Sequence, residues 1–109
     1  MSGSHEQFQL DARLEADTIH ILTVDRSTQI RLMNDTRWPW LVLIPVTTGA
    51  EEISDLTPGQ QKTLARITLL SGEVLRKLSP CDKLNIGSLG NIVRQLHVHI
   101  VARTIGDPN

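Results

Sequence analysis

Two hydrophobic periods divide the chain into elements. Residues 11–17 (DARLEAD), with Leu10 and Leu14 four apart, predict a short helix with one apolar face. A two-residue alternation follows. Residues 18–24 (TIHILTV) and 28–34 (TQIRLMN) predict two strands, joined by a hairpin at Asp25-Arg26-Ser27. In the second strand, Ile30 and Leu32 point to one side and Arg31 and Met33 to the other. Residues 41–46 (LVLIPV) are apolar without interruption, as in a central strand, and Pro45 sets the strand's end close by. At Thr57-Pro58 the period changes to that of a long helix. Threonine is a good N-cap, proline suits the first turn, and Gln60 stands where a capping box needs it. Leu64, Ile67, Ser71, Val74, Leu75 and Leu78 then form a stripe, which Ser79-Pro80 ends. Residues 83–89 and 95–103 predict two more strands, joined across Gly90-Asn91. The order predicts an α+β fold: an antiparallel five-stranded sheet covered on one side by one long helix, with a short helix at the N-terminus.

Composition narrows the picture without supplying chemistry. The 109 residues suit a single domain over residues 10–109. Residues 1–9 are polar and predict a disordered or tag-like start, with no apolar leader, so His5 carries no weight. With 11 basic and 12 acidic residues, the chain has no charge excess for a nucleic-acid surface. No apolar run reaches bilayer length, so no membrane partner is expected. Cys81 is alone, which excludes a disulfide framework and a thiolate cluster and fits a cytoplasmic protein. Both tryptophans fall in Trp38-Pro39-Trp40, where packing or a dimer contact is the expected role.

The chemistry lies in QLHVHIVAR, residues 95–103. On a strand, Gln95, His97 and His99 share one face, roughly 7 Å between successive members, while Leu96, Val98 and Ile100 face the core. Buried imidazoles without partners are costly, so the pair must face solvent, a ligand or each other. Three readings follow: solvated histidines on an edge strand, a His-x-His metal site, or nucleophilic catalysis on phosphorus. A metal site needs a third ligand, and His20, the other internal histidine, has the setting of an exposed strand residue.

Residues 95–103 resemble the signature of the histidine-triad (HIT) superfamily. In that motif three histidines alternate with apolar residues, often with a small residue or proline and then arginine after them. Gln95 stands at the first histidine's place, and Arg103, four after His99, fixes the register. The resemblance spans residues 30–103: a strand ending in Asn34, an apolar strand ending in Pro45, a helix start at Asp55-Leu56-Thr57, and Asn85 before a glycine-containing connection. It implies that His97 attacks an α-phosphorus to form a nucleotidyl-imidazole, and that His99 donates to a phosphoryl oxygen. Gln95 would complete the catalytic group by orienting a neighbour through its amide. Asn34 would lie by the ribose. Asn85, Asn91 and Gly90 would cradle the phosphate, and Ile30 and Leu32 would sandwich the base. No resident cofactor or metal is implied; a divalent ion would arrive on the substrate's phosphates.

Two departures from the family pattern bear on activity. Gln95 cannot relay a proton, and Trp40 stands where many relatives carry a histidine supporting the first triad position. Six residues follow Arg103, so no leaving-group contact from a longer tail is expected. The expected activity is a nucleotide hydrolase releasing a nucleoside monophosphate, purine by preference, from a dinucleoside polyphosphate such as diadenosine tetraphosphate or from a phosphoramidate. A nucleotide sensor with little turnover is the alternative. The resemblance also implies a homodimer formed through the long helix and a neighbouring strand.

Overall fold

A computed structural model describes residues 7–108. The chain forms α1 (Ala12–Asp17), β1 (Thr18–Val24), β2 (Thr28–Met33), β3 (Trp40–Pro45), α2 (Pro58–Leu78), β4 (Lys83–Gly87) and β5 (Val98–Arg103). The strands make one antiparallel sheet in the order β1-β2-β3-β5-β4. The α+β expectation, with five strands, one long helix and a short N-terminal helix, is met.

Local chemistry explains the boundaries. Asp11 caps α1 by accepting the Arg13 N–H at 2.8 Å. At the start of α2, Thr57 Oγ1 accepts the Gln60 N–H at 3.2 Å and Gln60 Oε1 accepts the Thr57 N–H at 2.8 Å, which is the capping box. The β1–β2 hairpin turns through Asp25 and Arg26, both at positive φ (48° and 59°), with the Ser27 N–H on the Val24 carbonyl at 2.8 Å. Primed turns need that backbone, whose hand matches the twist of the strands. β5 starts at Val98 rather than at 95, because the preceding residues leave the ladder. The Leu96 N–H bonds the Ala50 carbonyl at 3.0 Å, and Ser88 Oγ donates to the His97 carbonyl at 2.9 Å.

The sheet has two unequal faces. On one, Leu41, Leu43, Val98, Ile100 and Ala102 pack against Leu64, Ile67 and Leu75 of α2. Leu43 and Ile100 are fully buried, each contributing about 1.5–3 kcal/mol by area. Gly72 lets α2 approach β4, since a Cβ there would sit 3.1 Å from Leu84 Cδ1. On the other face, Leu14 of α1 covers Val42 and Ile44, with Phe8, Leu10, Met33, Trp40 and Val93 around them. That second cover was not expected. It is partial, and the remainder of the face is open.

The expected disordered start falls mostly on residues 1–6, outside the described residues. Phe8 and Gln9 belong to the packed fold. Among the described residues, no helix is long and apolar enough to cross a membrane.

Candidate active site

The open part of the second sheet face is a cavity of about 540 Å³. Four strands and α1 build it: Met33 at the end of β2, Trp40 at the start of β3, Asn85 and Gly87 on β4, His99 and Val101 on β5, and Arg13, Leu14 and Asp17 on α1. His97 and His99 form its polar floor. Their rings lie 4.8 Å apart, edge to face, so the two-residue period has put both imidazoles in one place.

Each ring is fixed by a partner that can play only one part. His97 Nδ1 lies 2.6 Å from the Gln95 carbonyl oxygen, which can only accept. The Nδ1 proton is therefore on the ring, and Nε2 keeps its lone pair. Trp40 Nε1–H donates to His99 Nδ1 at 2.9 Å, and an indole N–H can only donate. His99 Nδ1 is bare, so the neutral ring carries its proton on Nε2. The two histidines thus hold opposite tautomers, one ready to attack or accept and the other ready to donate.

Burial, and secondarily repulsion from His97, lowers the His99 pKa from 6.5 to about 4, so His99 is neutral at pH 7. This carries a consequence for stability. Below pH 6.5 the unfolded chain takes up a proton at His99 that the folded ring refuses until about pH 4. Stability is present above the unfolded value and falls as pH drops through that window. Because the ring is partly exposed, the expected loss is discounted to about 1–2 kcal/mol. Urea unfolding of the parent and His99→Phe at pH 7 and pH 4.5 checks it: the parent's midpoint should fall further. Equal falls would remove His99 as the cause.

Trp40 therefore does more than pack. Its ring meets that of Trp38 at 6.1 Å in a tilted contact, and the Arg37 and Arg103 guanidiniums lie over the Trp38 ring at 4.1 and 4.9 Å. Trp38 Nε1 donates to the Pro108 carbonyl at 2.9 Å, and Arg103 pairs with Asp107 at 2.7 Å. Arg103, which set the motif's register, is thus a brace behind the tryptophans.

The remaining expected site residues divide. Asn85 lines the cavity beside Gly87, the residue paired with His99. Asn91 and Gly90 do not: they line a smaller cavity of about 230 Å³ with Ser88 and Arg94, and Leu89 stands in the wall of both. Gly90 serves close approach, since a Cβ would meet the Val93 carbonyl oxygen at 3.2 Å. Asn34 follows β2 with its backbone N–H on the Asp17 carbonyl at 2.9 Å, next to Met33 but outside the lining.

Ile30 and Leu32 lie on the other side of the sheet. Ile30 packs against the α2 core, and Leu32 pairs with Leu41, which is part of that core. The register Arg31↔Val42↔His99 puts Arg31 and Met33, not Ile30 and Leu32, on the histidine face. The apolar lining comes instead from Leu14, Met33, Leu89 and Val93. Only the opposite choice of face for β2 would have pointed to Met33.

The side chain of Gln95 also points away from the cavity. Its Oε1 accepts the Asp11 N–H at 2.8 Å and its Nε2 donates to the Gln9 carbonyl at 2.9 Å. It does not orient a neighbouring histidine; its backbone carbonyl does. His20 is exposed on β1, with Nε2 3.0 Å from Thr23 Oγ1. Among the described residues, no three His, Cys, Asp or Glu side chains stand together as metal ligands.

A family model described as the HIT domain matches residues 13–105. Among solved structures, a histidine triad protein from Sinorhizobium meliloti 1021 is 53% identical with a TM-score of 0.91, over 94% of this chain and 75% of that one. One from Bradyrhizobium japonicum is 40% identical with a TM-score of 0.92, over 95% and 77%. Another, from Marinobacter aquaeolei VT8, is 42% identical with a TM-score of 0.89, over 94% and 74%. A search of curated proteins finds no match.

Proposed function

Because the chain belongs to the HIT domain family, within a superfamily of nucleotide-binding hydrolases and transferases, we propose that it cleaves a nucleotide at the α-phosphate through His97. The observation that carries this reading is the pair of histidines facing one cavity, one with Nδ1 on a carbonyl acceptor and the other with Nδ1 on an indole donor.

His97 Nε2 attacks the α-phosphorus and forms a P–N bond while the bond to the leaving group breaks. The leaving group departs with the bonding electron pair and takes up a proton. His99 Nε2–H donates to a non-bridging phosphoryl oxygen, where negative charge builds up. Water then breaks the P–N bond, releasing a nucleoside monophosphate and restoring His97. Asn85 lies on the phosphate side and supplies an amide donor. Leu14, Met33 and Val93 give the base an apolar seat, replacing Ile30 and Leu32. The substrate class is a dinucleoside polyphosphate or a nucleoside phosphoramidate, with a divalent ion accompanying the phosphates in the first case.

The test is to incubate the protein with diadenosine tetraphosphate, ATP and adenosine phosphoramidate and follow AMP by chromatography. AMP release supports hydrolysis, and the best substrate names the bond. No release, with AMP still raising the melting temperature, would replace the enzyme by a nucleotide sensor.

The same reading includes a homodimer through α2. Leu69, Leu70, Val74 and Leu78 of that helix are exposed, 54–80% each, although apolar. Sedimentation should give twice the chain mass, and Leu70→Glu with Val74→Glu should return it to the monomer. A parent sedimenting at 12.1 kDa would exclude the dimer.

A further inference from the structure

Resting on the nucleotide reading, we infer that Gln95 is a positioning residue whose side-chain amide clasps the N-terminal segment and holds α1 as a wall of the nucleotide cavity.

The amide receives the Asp11 N–H and gives its own N–H to the Gln9 carbonyl, at 2.8 and 2.9 Å. It pairs with the backbone of that segment as a neighbouring strand would. A carboxylate at 95 would lack the donor, and an imidazole presents its donor and acceptor in diverging directions. Asp11 is also the N-cap of α1, so the clasp grips the helix at its cap.

The two ends of α1 are held differently. Its C-terminal end is tied to the sheet: Thr18 Oγ1 donates to the Leu14 carbonyl, and the Asn34 N–H donates to the Asp17 carbonyl at 2.9 Å. Among the described residues, the only hydrogen bonds that join residues 7–13 to distant parts of the chain are the two from Gln95. Apolar contacts of Phe8 and Leu10 make up the rest of the attachment. Gln95 therefore governs whether the N-terminal half of α1 stays down on the cavity.

That half carries Arg13. It is the one Lys or Arg side chain in the cavity's lining, and it makes no ion pair among the described residues. An unpaired guanidinium on this wall faces an anionic ligand, and for a nucleotide the anion is a phosphate. Gln95 thus acts on substrate affinity through α1, and His97 acts on the chemistry.

Calorimetric titration with AMP reads the affinity, and amide hydrogen exchange at Asp11 reads the clasp. Gln95→Ala should weaken AMP binding about tenfold, roughly the loss of one to two hydrogen bonds, and should speed exchange at Asp11. Arg13→Ala leaves the clasp intact and should weaken AMP to a similar extent with exchange unchanged. Gln95→Glu keeps the acceptor but not the donor and should fall between parent and alanine. The yield of covalent adduct at saturating nucleotide should change far less than the affinity. Melting curves confirm that the variants fold.

Unchanged AMP affinity in Gln95→Ala, or in Arg13→Ala, overturns the inference while leaving the nucleotide reading in place. Failure of the parent itself to bind AMP overturns both.

Discussion

His97→Ala is expected to lower nucleoside monophosphate release by about four orders of magnitude or more and to abolish any covalent nucleotide on the protein. The size follows from the role. A residue that forms the bond to phosphorus has no substitute in the cavity, since His99 Nδ1 is occupied by the Trp40 indole and its Nε2 bears the proton. The parent, quenched in acid-free denaturant during turnover, should show one nucleotidyl group on a peptide containing His97. His97 is only 4% exposed, so alanine also removes buried contacts, and the variant's melting temperature must be read alongside its rate. Retained AMP binding with lost turnover assigns the nucleophile. Undiminished turnover in a folded His97→Ala would move the chemistry elsewhere.

Trp40→Phe is the second large effect, expected to slow turnover about ten- to a hundredfold while keeping the fold. Phenylalanine preserves the apolar bulk and loses only the N–H that reaches His99 Nδ1 at 2.9 Å. Without that donor the ring can hold its proton on either nitrogen, and the donor aimed at the phosphoryl oxygen is no longer fixed. Burial and His97 hold the His99 pKa at about 4; an indole N–H on Nδ1 further favours the unprotonated ring, so its loss should raise that pKa. The rise will be partial, because burial persists. Titration of the His99 ring by NMR, in parent and variant, reads the shift directly, and the rate measurement reads its effect. An unmoved titration with an unmoved rate would reduce Trp40 to packing.

The ladder of elements was legible because each announces itself locally: the period of two in β1 and β2, the Thr57–Gln60 box before α2, and Pro80 after it. The histidine pair was legible for the same reason: His99 lies on β5 and His97 just ahead of it, and the two-residue spacing keeps both side chains on one face. Which way β2 faces was not. Arg31 looks like the solvent side of an alternating strand, yet it is buried, with Nε on Thr18 Oγ1 at 2.6 Å and a terminal nitrogen on Gln29 Oε1 at 2.9 Å. Polar partners from two strands satisfy it, so polarity misreports the face, and Ile30 and Leu32 lie on the α2 side of the sheet instead. Gln95 was unreadable for a different reason. Its partners are backbone groups 84 and 86 positions away, and no side-chain pattern marks them. Trp40 belongs to the same class: its indole meets His99 across 59 positions, through a pairing that only the finished sheet creates.

The tryptophan pair also makes the protein its own reporter. The chain has two tryptophans, no tyrosine and one phenylalanine, so its ultraviolet emission arises from Trp38 and Trp40 alone. One of these indoles is hydrogen-bonded to a site imidazole, and the other lies tilted against it with two guanidiniums over its own ring. Protonation of His99, or a ligand settling against Trp40, alters the surroundings of the chromophore itself. Occupancy of the cavity can thus be followed in real time by intrinsic fluorescence, without a label and with no background from elsewhere in the molecule.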